Sequence, residues 1–162
     1  MQLLILAVGK GRTAPEHLLA RDWLARLPQS GGVIYGGSIS GNIIEVESKL
    51  PPGPKRTDDE SQRLVRAIPD GAALAVLDPR GKDHSSEDMA ALIGDWQDQG
   101  RQTACFAIGG ANGHNDLLRD RADRLISFGR ATWPHMLCRA MLAEQLYRAS
   151  AILAGHPYHR AG

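Results

Sequence analysis

The sequence predicts one α/β domain, a largely parallel sheet flanked by helices, and three observations carry that expectation. Short apolar runs recur at residues 3–8, 72–77 and 103–108. Stretches with helical spacing or helix-start signals separate them. The runs AALAVL and TACFAI lack polar alternation, which marks strands covered on both faces. Strands that alternate with helices require crossovers and hence parallel pairing.

The elements run in order. Residues 3–8 form the first strand, and its opening MQLLILAVG has no basic flank and is too short for a signal core or a membrane span. That predicts a cytoplasmic protein. Pro15 opens a helix over 16–27 whose apolar positions are Leu18, Leu19, Trp23, Leu24 and Leu27. Residues 29–41 are rich in Gly and Ser and predict a loop, with a short strand at 42–47 behind it. LPPGPKR is a stiff connector, and Thr57-Asp58-Asp59-Glu60 predicts a capping box opening a helix to about Ile68.

The strand at 72–77 exits through DPRGKDH, and residues 85–88 supply the N-terminal cap of a helix to about Gln97. The strand at 103–108 exits through GGANGH. A helix at 115–121, a short strand at 124–127, the loop FGRATW and a long helix at 134–153 complete the domain, which spans residues 1–162.

Composition sets bounds on function. Apolar residues make up 43% of the 162-residue chain and charged residues 23%, as in ordinary globular proteins. The net charge of +1 argues against a strong grip on free RNA, though not against docking on a large RNA–protein particle. Cys105 and Cys138 stand in apolar surroundings, with spacing that fits neither a disulfide framework nor zinc, and read as reduced thiols.

Ligands of parallel sheets bind beyond the carboxyl ends of strands, so the exits after Leu77, Ile108 and Ser127 are the informative loops. Gly109, Gly110 and Gly113 follow a buried strand but match neither the dinucleotide fingerprint nor the phosphate loop. They serve a structural turn or the close approach of a ligand. In GRATWP, Trp133 is either a hydrophobic staple for the last helix or part of a loop folded back to offer main-chain groups.

The last helix carries one stripe at Leu142, Leu146, Ala149 and Leu153 and a second at Met136, Ala140, Ala143, Tyr147 and Ala151. An arc that wide predicts burial against two surfaces, the sheet and a partner subunit. Arg139 falls between the stripes and needs an anionic partner: a carboxylate of the same chain, a partner subunit or an RNA phosphate.

His17, His84 and His114 read as surface or capping residues. His135 opens the last helix beside the candidate loop. His156 and His159 form H-x-x-H with no further ligands nearby in sequence, so no metal site is expected, and no serine sits on a nucleophile elbow.

Five stretches together carry a resemblance: LLILAVGKG, AVLDPRGK, FAIGGANG, ATWPHMLCRAMLAEQLYRA and the terminal GHPYHR. Over nearly the whole chain they resemble the RlmH family of SPOUT-class methyltransferases, which methylate N3 of a pseudouridine in large-subunit ribosomal RNA. The chain departs from the family in its Gly-rich 29–41 segment and in Ala111-Asn112, where the family has Pro-Glu.

The resemblance implies a SPOUT-type fold with a carboxyl-terminal trefoil knot, a homodimer, and S-adenosyl-L-methionine as cofactor. Neither a metal nor a membrane is implied. By matching, Leu77, Gly109, Gly110, Gly129, Arg130, Ala131, Thr132, Trp133 and Pro134 would bind the cofactor, largely through main-chain groups.

Residues 154–162 would then be a functional tail: Gly155 ends the helix, and Pro157 stiffens the chain beyond it. Arg160 and Arg139 would hold RNA phosphate or a base carbonyl. Tyr158 would stack on or hydrogen-bond the base. His135 or a tail histidine such as His159 would assist removal of the N3 proton. The rivals are an enzyme of the same fold acting on another RNA base, a non-catalytic ribosome-binding module and, for the tail, a disordered polar end.

Overall fold

A computed structural model describes residues 1–27 and 38–159. Its strands are β1 (Gln2–Val8), β2 (Ser40–Val46), β3 (Ala73–Asp83), β4 (Thr103–Ile108) and β5 (Arg124–Ser127). Its helices are α1 (Pro15–Ala25), α2 (Pro54–Arg66), α3 (Ser86–Asp98), α4 (Asp116–Arg121) and α5 (His135–Leu153). The sheet order is β2-β1-β4-β3-β5, and every pairing between these strands is parallel.

Period-two alternation builds two cores from the same strands. Leu3, Ile5 and Ala7 of β1 and Phe106 of β4 face α1, α3 and α5, while Leu4, Leu6, Val8, Cys105 and Ala107 face α2 and α4. Continuous apolar runs in the sequence are therefore strands with helices on both sides. The Gly/Ser-rich loop falls mostly on residues 28–37, outside the described residues; its end, Ser40 and Gly41, already belongs to β2.

Two further boundaries differ from the sequence reading, each for a local reason. Helix α2 starts a turn earlier, after Gly53, because Pro54 presets the backbone of a first turn. No side-chain cap forms there, and Glu60 instead accepts from Arg56 Nε at 2.7 Å.

Strand β3 does not end at Leu77. Residues 78–81 bulge out, and Lys82 and Asp83 return to pair with Ile126 and Ser127. Pro79 is tolerated in that bulge, where no ladder donor is needed. Gly81 is required, because a Cβ there would lie 2.5 Å from the Ile126 carbonyl carbon.

In α1, Leu18 and Leu19 are exposed, and the positions turned inward are His17, Ala20 and Leu24. Other signals map directly. Ser85 accepts from Asp88 N at 3.0 Å while Asp88 Oδ2 accepts from Ser85 N at 2.9 Å, the capping box read from residues 85–88. Helix α5 buries most of both stripes within one chain, against the sheet, α1 and α3, and leaves Met136 and Leu153 half-buried.

Candidate functional site

Leu77, the last residue before the β3 bulge, pairs with Ile108 on one side and Ile126 on the other, so the ends of β4 and β5 flank that bulge at the carboxyl edge. Beyond β4 the chain makes a tight turn: Gly113 N donates to Gly110 O at 3.0 Å, and Gly113 has φ +73°. The other two glycines make room for the protein's own atoms. A Cβ on Gly109 would stand 2.8 Å from Gly113 O and 3.0 Å from His114 Cε1. One on Gly110 would stand 3.1 Å from Glu60 Oε2 and from Val8 Cγ1.

His114 corrects the surface reading: it is only 5% exposed. Its Nε2 lies 3.2 Å from Leu77 O, and a carbonyl only accepts, so the imidazole carries its proton on Nε2. Nδ1 is buried and has no protein partner among the described residues. Burial pushes the imidazole down to about 4, against the opposing pull of the Asp78 carboxylate and the Leu77 carbonyl.

Asp78, in the bulge, is buried too, which raises its affinity for a proton. Arg119 Nε at 2.6 Å and Arg80 N at 2.9 Å outweigh that and hold the carboxyl below its usual range.

These shifts set a pH dependence. The unfolded chain protonates His114 near pH 6.5 while the folded one resists to about 4, so stability falls as pH drops through that window. The loss between pH 7 and 5 is about 2 kcal/mol. Asp78 contributes stability above its unfolded value of 3.8, lost only at lower pH. Urea unfolding at pH 7 and 5 should give wild type the steeper change and His114→Gln the flatter one. Equal changes in the two proteins would refute the assignment.

The β5–α5 loop is folded back on itself. Ser127 Oγ accepts from Gly129 N at 3.1 Å, Gly129 sits at φ +88°, and Trp133 Nε1 donates to Phe128 O at 3.1 Å. Trp133 is 41% exposed, so it is not the buried staple of the plainer reading. Arg130, Ala131, Thr132 and Pro134 are exposed beside it. Nothing meets a Cβ built on Gly129, so this side of the edge is open.

Among the three partners weighed for Arg139, the structure supplies the carboxylate of the same chain. Arg139 is fully buried; Nη1 donates to Glu45 Oε1 at 2.5 Å and to His17 Nδ1 at 3.0 Å, and Nη2 donates to Gly9 O at 3.0 Å. The same Glu45 oxygen accepts from Gly11 N at 2.6 Å. Burial opposes the Glu45 charge, but the Gly11 N–H, the guanidinium and His17 together keep its carboxyl low. Arg139 is tied to Glu45, His17 and Gly9, its Nε is buried with no partner among the described residues, and it presents no exposed donor to RNA, where the sequence reading gave it a phosphate or base carbonyl. His135 stands one turn earlier, its Nε2 4.0 Å from where a Gly9 Cβ would be.

The tail is docked, not frayed. Gly155 (φ +64°) and His156 close a Schellman motif, donating to Ile152 O at 3.0 Å and Ala151 O at 2.8 Å. Tyr158 donates to Glu144 Oε1 at 2.9 Å, meets Tyr147 edge-on at 4.8 Å and lies under the Arg148 guanidinium at 4.9 Å. Burial and the Glu144 carboxylate raise its phenol, which stays a donor. His159 Nε2 lies 2.8 Å from Glu87 Oε1, and Arg160 lies outside the described residues.

A cavity of about 660 Å³ lies next to this dock, walled by Trp23, Met89, Phe128, Gly129, Met141 and Glu144. Of the sequence-assigned cofactor positions it touches Gly129 alone.

The structure thus brings together Leu77, Gly109, Gly110 and the Gly129 loop, and it separates the residues assigned to chemistry. His135 and Glu144, the anchor of Tyr158, are nine residues apart on α5, about 13 Å along the helix. Sequence reasoning missed His114, His17 and Glu45. The signal for His114 was its place one residue after the Gly109–Gly113 turn.

The family described as "Predicted SPOUT methyltransferase" matches residues 1–159. The chain belongs to the SPOUT methyltransferase family. Relatives named "Ribosomal RNA large subunit methyltransferase H" include one from Paramagnetospirillum magneticum, 49% identical, and one from Paracoccus denitrificans, 51% identical. A third, from Mesorhizobium japonicum, is 45% identical. Each alignment covers 99% of this chain and 99% or 100% of the relative. Membership makes the chain an enzyme that transfers a methyl group from a methyl donor. Among the described residues no helix is long and apolar enough to cross a membrane.

Proposed function

We propose that this chain is an S-adenosyl-L-methionine-dependent methyltransferase that methylates N3 of a pseudouridine in 23S ribosomal RNA, acting on the assembled ribosome in the cytoplasm. The observation that carries the reading is the adjacency of the β3 bulge after Leu77 to the exits of β4 and β5, with Gly109, Gly110 and the folded-back loop of Gly129 to Pro134. The large-subunit ribosomal RNA comes from the name of the relatives, and the pseudouridine N3 from the family resemblance. The reading takes residues 1–162 as one domain with the family's knot, and 154–162 as its working tail.

The residues fit such a cofactor. The edge offers main-chain groups, the open side of Gly129 and a nitrogen of His114 that has no partner among the described residues. When bound, the cofactor supplies an already activated methyl group, so the protein needs no covalent nucleophile. The chain's task is to hold the base in line and to take the N3 proton, and positioning alone contributes several kcal/mol. His135, at the mouth of α5 beside Gly9, is one acceptor for that proton, and His159 in the tail is the other. Arg160 contacts RNA phosphate, and Tyr158 holds the base after leaving Glu144.

The protein works as a homodimer. Leu18, Leu19 and Leu137 are exposed, and Leu19 and Leu137 also line the apolar cavity, a face suited to a second copy. Light scattering at micromolar concentration should give twice the chain mass.

Mass mapping of 23S ribosomal RNA from a strain lacking the gene tests the function. One pseudouridine should lose one methyl group and regain it on complementation. An unchanged map would overturn the substrate, and a methyl lost from another RNA would mark an enzyme of the same fold with a different target.

A further inference from the structure

The turn after β4 holds a polar atom that the fold leaves unused. His114 is one of the few polar side chains buried in the described residues, and its ring stands between the ends of β3 and β4. The Nε2–H goes to Leu77 O, and Cε1 faces Gly109 so closely that a Cβ there would be 3.0 Å away. Among the described residues Nδ1 is left as a buried acceptor with no protein donor. A buried acceptor left unpaired costs about 1–3 kcal/mol, so such an atom invites an explanation. Its two neighbours, Leu77 and Gly109, are both positions assigned to the methyl donor.

We propose that His114 is a binding residue for the nucleoside of the methyl donor: Nδ1 accepts a hydrogen bond from a hydroxyl or amino group of that nucleoside, while Nε2–H fixes the Leu77 carbonyl. The inference rests on the cofactor reading above and adds a residue and an atom to it. The two nitrogens have separate duties, which makes the idea separable by substitution. A Gln amide reaches the position of Nε2 and a shorter Asn amide that of Nδ1. Gln thus keeps the tie to Leu77 and loses the ligand contact, whereas Asn does the reverse.

The probe is S-adenosylhomocysteine, titrated calorimetrically into the full-length protein and its His114→Gln and His114→Asn variants, with thermal unfolding measured without ligand. His114→Gln should melt within a few degrees of wild type at pH 7.5 and bind about tenfold more weakly. His114→Asn should melt lower yet bind within about threefold of wild type. Wild-type affinity in His114→Gln would overturn the proposal, as would equal weakening in both variants, which marks a purely structural residue. Absence of binding by wild type itself would overturn the cofactor reading and this inference with it.

Discussion

Replacing Arg139 with Met should lower the unfolding free energy by about 3–5 kcal/mol, the cost of stranding one member of a buried ion pair. The guanidinium is the only charge with no solvent exposure among the described residues, and it joins four parts of the fold. It leaves α5, binds Glu45 on β2, His17 on α1 and the carbonyl of Gly9 after β1. Without it, Glu45 keeps the Gly11 N–H at 2.6 Å and His17 Nδ1 at 3.6 Å, and His17 Nδ1 loses the Arg139 donor.

Arg139→Lys should recover only part of the loss, since a single ammonium does not span partners on opposite sides of a planar fork. Adding Glu45→Gln to Arg139→Met should regain at least about 1 kcal/mol, because the stranded charge is removed. Urea unfolding at pH 7.5 reads all three. A loss under about 1 kcal/mol for Arg139→Met would mean that the network is incidental. The result also separates stability from chemistry: an Arg that contacted RNA would alter methylation with little effect on unfolding.

Arg139 illustrates what the sequence discloses. Its position between two apolar stripes signalled a buried charge in need of a partner, but Glu45 is 94 residues away and nothing local points to it. Strands and helices were legible because their signals are local: the unbroken run 103–108 is strand β4, and Ser85 with Asp88 is the cap of α3. What misled was also local. Thr57 to Glu60 has the form of a capping box, but Gly53-Pro54 begins the helix first. DPRGKD has the composition of a turn, yet pairing with β5 draws its end back into the sheet.

The candidate site divides the same way. Adjacency of the strand exits comes from parallel topology, so Leu77, Gly109, Gly110 and the Gly129 loop were foreseeable as neighbours. The burial of His114 depends on a ring fitting where Gly109 has no side chain, a tertiary fact.

Deleting residues 155–162 should lower methylation of ribosomes at least about a hundredfold while leaving affinity for S-adenosylmethionine within about threefold. The tail's described contacts run to Trp23, Glu87, Glu144, Tyr147 and Arg148, so its removal should spare Leu77, Gly109, Gly110 and the Gly129 loop. Losing the alignment of a base is a rate effect of the order expected for positioning. The cost in stability should be modest, about 1–2 kcal/mol, from uncovering Tyr147 and Trp23 and losing the Tyr158 bond to Glu144.

The docked geometry adds a sharper test. In one chain, Tyr158 sits at Glu144, about 13 Å of helix from His135, too far for both to touch one base. If the tail serves the site of a second copy, a mixture of the deletion variant with His135→Ala subunits should regain part of the activity that each lacks alone. Hybrid dimers would then carry one site with an intact His135 and an intact tail. No recovery in hybrids verified by mass spectrometry would place the tail over its own site. Full activity in the deletion variant would remove it from the reaction altogether.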